Sequence, residues 1–303
     1  MQLPSVVKIV EVGPRDGLQN EPQFIPTLVK LELINRLTEA GFSSIEVTSF
    51  VSPKSIPQLA DHSEVFKRIS RKKGVEYPVL VPNLQGFEKA LEAGVTEIAI
   101  FTAPSESFLK KNINCTMEES FKRFEAIVRV ARDKNIKIRG YVSCAISCPF
   151  EGRMNVSKVA EVAVRLKELG CYEISLGDTI GVGTPLQIQQ LIEEVIKTIP
   201  LQMIAMHFHD TYGQALANVF ASLQLGITTF DSSISGLGGC PYAPGATGNV
   251  ATEDLLYLLN GLGIQTHIDL MKVIQAGVFI SRSLNRLSRS KVSVATTAKY
   301  NEY

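Results

Sequence analysis

Leu166-Lys-Glu-Leu-Gly170-Cys-Tyr-Glu-Ile-Ser-Leu176 is one of four copies of a single pattern. The others are Leu37-Thr-Glu-Ala-Gly41-Phe-Ser-Ser-Ile-Glu-Val47, Leu91-Glu-Ala-Gly94-Val-Thr-Glu-Ile-Ala-Ile100 and Leu223-Gln-Leu-Gly226-Ile-Thr-Thr-Phe-Asp231. Each reads as the last turn of a helix, a glycine that ends it in the left-handed conformation, and a short β-branched run. The glycines lie 53, 76 and 56 residues apart, too far for one strand–helix unit and right for two. Four more apolar runs of strand length fall between the copies, at residues 6–12, 75–81, 136–143 and 203–209. Helical patterns follow them, such as Met117, Phe121, Phe124 and Val128, or Val159, Val162, Leu166 and Leu169. Thr184, Pro185 and Gln187 form the capping signature of another helix. Eight strands alternating with helices predict an α/β chain folded as a (β/α)8 TIM barrel. A doubly wound sheet is the runner-up, but Gly13-Pro14-Arg15-Asp16-Gly17 is not its glycine-rich phosphate loop.

The expectation is therefore a single catalytic domain over residues 1–303, with the barrel at about 6–262. A helical extension at about 263–290 follows, from the amphipathic stretch 268–287. Arg286, Arg289 and Lys291 are expected in a solvated charged tail.

Composition narrows the function classes. Hydrophobic residues make up 45% and charged residues 20% of 303 residues, as in an ordinary globule. A net charge of +1 gives no reason to expect a nucleic acid or an acidic membrane as partner. The five cysteines show neither a disulfide framework nor zinc-ligand spacing, and Cys144 and Cys148 stand alone as C-x3-C. Reduced thiols, no apolar run of membrane-spanning length and a first strand close to the N-terminus together predict a cytoplasmic protein.

Barrel chemistry sits at the carboxyl ends of the strands, so the polar residues there are the candidates for function. They are Arg15 and Asp16 after the first strand, Glu46, Thr48 and Ser49 on the second, and Asn83 on the third. Ser175 and Asp178 end the sixth, and His207-Phe208-His209-Asp210 the seventh. His207 and His209 are two apart, so both rings point to one face. With Asp16 and the amide oxygen of Asn249 they compose a mixed nitrogen and oxygen set suited to Mg2+ or Mn2+. Arg15 has the fixed charge to stabilise an oxyanion, and Glu46 is expected to hold it. Ser49, Ser175 and Asp178 are the expected substrate contacts. No lysine ends a strand, which argues against a Schiff-base aldolase. After the eighth strand comes Gly236-Leu-Gly-Gly-Cys240-Pro-Tyr-Ala-Pro-Gly-Ala-Thr-Gly-Asn249, too rich in glycine and proline for a helix or strand. Its thiol, Cys240, is positioned to reach a substrate on loop closure.

The Cys240 run resembles the active-site loop of the 3-hydroxy-3-methylglutaryl-CoA lyase family, among the metal-dependent Claisen-type barrels. Val12-Gly-Pro-Arg15-Asp16-Gly-Leu-Gln-Asn-Glu21, Leu176-Gly-Asp178-Thr-Ile-Gly and His207-Phe-His209-Asp-Thr-Tyr-Gly are similar to other segments of that family. The resemblance spans about residues 5–295, with Pro22 a departure where many relatives are polar or basic. It implies cleavage of a CoA thioester into acetyl-CoA and acetoacetate, as in leucine breakdown and ketone-body formation. It also implies Asp16, His207, His209 and Asn249 as ligands of the divalent cation, Arg15 on the substrate carbonyl and Cys240 as loop catalyst. Proton transfer is left open among Cys240, His207 and Asp16. A homo-oligomer, a dimer first, is expected. The alternatives are a related acyl-CoA or 2-keto-acid lyase or synthase on the same barrel, and an inactive barrel serving as a binding protein.

Overall fold

Left-handed glycines end the helices where the repeat requires them: φ is 105° at Gly41, 85° at Gly94, 102° at Gly170 and 87° at Gly226. A side chain at Gly41 meets a second obstacle, because its Cβ would lie 2.5 Å from the carbonyl oxygen of His267. The computed structural model describes residues 3–239 and 248–300. Apart from a small antiparallel hairpin of Ser147–Cys148 with Gly152–Arg153, its strands are β1 (Lys8–Glu11), β2 in two pieces (Ser44–Ile45 and Thr48–Ser49), β3 (Val79–Leu80), β4 (Glu97–Thr102), β5 (Lys137–Val142), β6 (Glu173–Asp178), β7 (Ile204–Phe208) and β8 (Thr229–Ser232). All pair in parallel and in chain order, and β8 returns to β1. The first piece of β2 pairs with β1 and the second with β3, which closes the barrel. Between the pieces, the Glu46 amide donates to Glu11 O and the Val47 amide to Pro78 O. β3 is shorter than the apolar run 75–81 because Pro78 has no N–H to give its neighbours.

Eleven helices are described: α1 (Thr27–Ala40), α2 (His62–Arg68), α3 (Leu84–Glu92), α4 (Glu106–Ile113), α5 (Met117–Asp133), α6 (Val156–Leu169), α7 (Pro185–Val195), α8 (Ala215–Gln224), α9 (Thr252–Gly261), α10 (Leu270–Ser283) and α11 (Lys291–Tyr300). Thr184 and Gln187 form the expected capping box on α7. The main apolar core lies between strands and helices, with Ile9, Ile45, Val79, Ile98, Ile174 and Phe230 among its members. Inside the barrel the apolar packing is a small separate cluster of Leu80, Ala99 and Tyr141 beside Phe101. Arg139, Glu173, Asp231 and Glu46 share that interior and are buried. The barrel is thus wrapped in hydrocarbon and filled with charge.

The extension departs from expectation. α10 occupies the predicted stretch and packs on α1, but a further helix, α11, follows it. Asp254 on α9 anchors α11 by accepting from the Ser290 hydroxyl at 2.7 Å and the Val292 amide at 2.9 Å. Arg286 donates to Glu21 at 2.7 Å, and Arg289 reaches Gly238 O at 3.3 Å. The expected solvated tail is therefore tied to the barrel mouth through Arg286 and Arg289, while Arg289 and Lys291 stay exposed as expected. No helix among the described residues is long and apolar enough to cross a membrane. Cys115, Cys144, Cys148 and Cys171 are buried free thiols.

Candidate active site

β1 runs into a π-helical turn, Gly13–Gly17, that carries Arg15 and Asp16 to the barrel mouth. Glycine is required at its end, since a Cβ at Gly17 would lie 2.7 Å from Ser233 Oγ and 2.8 Å from Leu237 Cβ. Arg15 is buried, with Nε donating to Glu46 Oε1 at 2.5 Å and Nη1 to Asp16 Oδ1 at 2.6 Å. Its Nη2 has no hydrogen-bond partner among the described residues. Burial disfavours the cation, but Glu46 and Asp16 more than offset that and push its pKa further up. The expected Glu46–Arg15 pair is present, and Tyr141 completes it by donating to Glu46 Oε2.

His207 and His209 leave β7 on one face with ring centroids 5.3 Å apart. With Asp16 they offer ligand atoms that all lie within 4.8 Å of one another. Burial raises the Asp16 carboxyl, but Arg15 and the two imidazoles outweigh it and hold its pKa at about 2. Burial, then His207, lowers His209 to about 4, so its ring is neutral at physiological pH. The buried His209 Nδ1 has no hydrogen-bond partner. An ionised carboxylate, two convergent imidazoles and an unused ring nitrogen form a donor set that fits a divalent cation. Asn249 reaches the cluster through its amide nitrogen, which donates to Asp16 Oδ2 at 2.8 Å and to Leu237 O at 3.0 Å.

Arg15, Asp16, Ser49, Tyr141, His207 and His209 line one cavity of about 500 Å³. Lys111 and Arg123 add positive charge to its wall. Ser175 and Asp178 do not line it, contrary to their expected role as substrate contacts. Ser175 faces inward one layer deeper and donates to Asp231 at 2.8 Å. Asp178 accepts from the amides of Val182 and Gly183, and burial raises its pKa to about 6. It braces the turn after β6. Cys240 lies outside the described residues.

Beneath the cluster is a set of residues that sequence reasoning missed. Arg139 Nε donates to Glu173 at 2.6 Å, Nη1 to the Tyr141 hydroxyl at 2.7 Å, and Nη2 to Asp231 Oδ1 at 2.8 Å. The signal was available: Arg139 and Tyr141 are two apart on β5, as the histidines are on β7.

Comparison with known proteins agrees with this geometry. The HMGL-like family profile matches residues 6–280. The chain is 60% identical over 294 residues to the cytoplasmic 3-hydroxy-3-methylglutaryl-CoA lyase of Homo sapiens, covering 97% of this chain and 80% of that one. It is 59% identical to the mitochondrial hydroxymethylglutaryl-CoA lyase of Homo sapiens, covering 97% and 90%. The crystal structure of hydroxymethylglutaryl-CoA lyase from Pseudomonas aeruginosa superposes with a TM-score of 0.97 at 53% identity, covering 99% of this chain and 100% of that one. An HMG-CoA lyase from Acinetobacter baumannii, solved with coenzyme A and 3-methylmalate, superposes at 0.93 and 39% identity, covering 97% and 96%.

Proposed function

The chain belongs to the HMGL-like family, and from that premise we propose that it cleaves (S)-3-hydroxy-3-methylglutaryl-CoA to acetyl-CoA and acetoacetate. It is a carbon–carbon lyase, as its curated relatives are. The observation that carries the reading is the convergence of Arg15, Asp16, His207 and His209 on one cavity. Cleavage between C2 and C3 removes the proton of the tertiary hydroxyl, makes that oxygen a ketone and leaves a thioester enolate. Asp16, His207 and His209 would hold Mg2+ or Mn2+, joined by Asn249 once its amide, bonded here to Asp16 through nitrogen, turns its oxygen inward, and the cation would supply a Lewis acid for the substrate's oxygens.

The chain's own groups do the rest. Two of the three guanidinium nitrogens of Arg15 are tied to Glu46 and Asp16, which fixes its plane. Nη2 is left to meet the enolate oxygen, where charge develops only in the transition state. Ser49 lines the same cavity and is a substrate contact. Cys240, His207 or Asp16 holds the proton and returns it to the enolate carbon. The CoA portion is the partner of this site, and the fold acts as one catalytic domain, as a homodimer. The buried thiols suit a reducing, cytoplasmic compartment, in leucine degradation and ketone-body formation. The test is product identification: the purified protein, given this thioester and Mn2+, yields acetyl-CoA and acetoacetate by mass spectrometry. Intact substrate after that incubation overturns the reading.

A further inference from the structure

His207 and His209 both reach the cation cluster, yet their Nδ1 atoms are treated differently. His209 Nδ1 is buried without a hydrogen-bond partner. His207 Nδ1 lies 3.2 Å from Asp231 Oδ2. Asp231 sits on β8 directly opposite His207 in strand register and is 1% exposed. Its oxygens already accept from Arg139 Nη2 at 2.8 Å, Arg139 Nη1 at 3.2 Å and the Ser175 hydroxyl at 2.8 Å. A carboxylate gripped by a permanently charged guanidinium can only accept hydrogen bonds. The nitrogen facing it therefore carries the proton, and the lone pair of the ring resides on Nε2.

We propose that Asp231 is a positioning residue of the site, which selects the His207 tautomer that presents Nε2 to a divalent cation beside Asp16 and His209. The proposal rests on reading those three residues as a cation site. Arg139 and Ser175 hold the Asp231 carboxylate from below, and Glu173 and Tyr141 hold Arg139 in turn. The floor of the barrel thereby reaches the histidine side of the cation cluster through the hydrogen bond from His207 to Asp231, as it reaches Asp16 through Tyr141, Glu46 and Arg15. A purely structural Asp231, present only to balance Arg139, needs no defined orientation toward His207 and no preference between its tautomers.

Asp231→Asn separates these roles. Its carbonyl can still accept from Arg139, while its NH2 turned to His207 Nδ1 donates and drives the ring proton to Nε2. Histidine-selective 15N NMR of the metal-free protein, with His207 assigned from His207→Gln, reads the tautomer without any activity. The wild type shows the proton on Nδ1, and Asp231→Asn shows it on Nε2. Mn2+ affinity measured by EPR falls 10- to 100-fold in Asp231→Asn, the usual cost of losing such a partner. Ser175→Ala, which removes a neighbouring bond to the same carboxylate, changes it less than about 3-fold. A wild-type His207 protonated on Nε2 overturns the proposal, and this measurement stands even where Asp231→Asn does not fold. A folded Asp231→Asn with wild-type Mn2+ affinity overturns it as well. Absence of Mn2+ binding by the wild type overturns the underlying cation reading instead, and is distinguishable because the tautomer is measured independently.

Discussion

Two buried arginines fill the axis of this barrel, and they are served differently. Arg139, in the floor, has all three guanidinium nitrogens bonded to Glu173, Tyr141 and Asp231. Arg15, at the mouth, is bonded through Nε and Nη1 only. Both are surrounded by carboxylates that raise their pKa against burial. The floor is a closed account of charge in which every donor has met its acceptor. The mouth has a guanidinium nitrogen, an imidazole nitrogen and a cavity left over. Donors and a ring nitrogen left open around a cavity, above a guanidinium that is fully bonded, mark where chemistry is done.

The largest effect comes from treating both arginines alike. Arg15→Gln is expected to lower kcat by ~10^3 or more with a smaller change in KM, about 4 kcal/mol of transition-state stabilisation. Its urea-unfolding midpoint should fall by less than that of Arg139→Gln, since Glu46 keeps Tyr141 and the partly exposed Asp16 keeps Asn249 as donors. Arg139→Gln is expected to do the reverse and lose about 3–5 kcal/mol of folding stability, because Asp231 stays fully buried without its cation and Glu173 keeps only the longer contact with Lys8. Similar stability losses in the two variants would erase the distinction between floor and mouth.

Next in size, His207→Ala should lose bound cation and at least ~10^2-fold in activity while the barrel stays folded. Elemental analysis and circular dichroism read the two halves of that statement. Full activity after exhaustive chelation would remove the cation from the mouth altogether. Cys240→Ser should retain its cation but turn over about 10^2-fold more slowly, because a hydroxyl is the weaker acid. A thiol reagent should inactivate the wild type with substrate protecting, and the adduct should map to Cys240. The described thiols are buried, and burial pushes Cys171 up to about 12. An adduct on one of them instead would withdraw Cys240 from the site.

The mouth was far more legible in the sequence than the floor. His207 and His209 could be read because period two puts them on one face, and Arg15-Asp16 because it ends a strand where a structural pair has no role. Gly41, Gly94, Gly170 and Gly226 gave the barrel away because a left-handed residue tolerates little else. Arg139 and Tyr141 carried the same period-two signal, but a charged residue inside a strand reads as solvent-facing until closure is known. Asp231 depended on strand register across β7 and β8, which no local pattern encodes. Ser175 and Asp178 failed for a related reason: a strand end fixes the height of a residue only to within a layer, and one layer separates substrate from scaffold. α11 was missed because its anchor, Asp254, lies 37 residues from the Lys291 amide that it receives.

The smallest expected effect tests the comparison along the pH axis. At the mouth Asp16 is held at about 2 by its cationic neighbours. Behind the barrel wall, two other carboxyls are displaced the opposite way, chiefly by burial: Glu11 to about 7 and Glu253 to about 8. Glu11 accepts from the amides of Gly13 and Ile234 and from Thr252, and Glu253 accepts from the Ser235 amide. Among the described residues no cation is paired with either one. A carboxyl raised from 4.5 to about 8 keeps its proton in the folded state while the unfolded chain has released it. The native state then binds more protons, so stability is greatest below the unfolded value and falls as pH rises toward 8. Each such group contributes at most about 1.4 kcal/mol per pH unit. Asp16 acts in the opposite sense, but only below its unfolded value near 4, so it is silent in this range. Urea unfolding should therefore give a higher free energy at pH 6 than at pH 8. Glu253→Gln, which stays neutral throughout, should flatten part of that slope and leave the rest to Glu11 and the other raised carboxyls, Glu97 and Asp178. Stability that climbs from pH 6 to pH 8, or a slope untouched in Glu253→Gln, would mean that these carboxylates are ionised in the fold. The division between a cation-paired mouth and an uncharged wall would then be wrong.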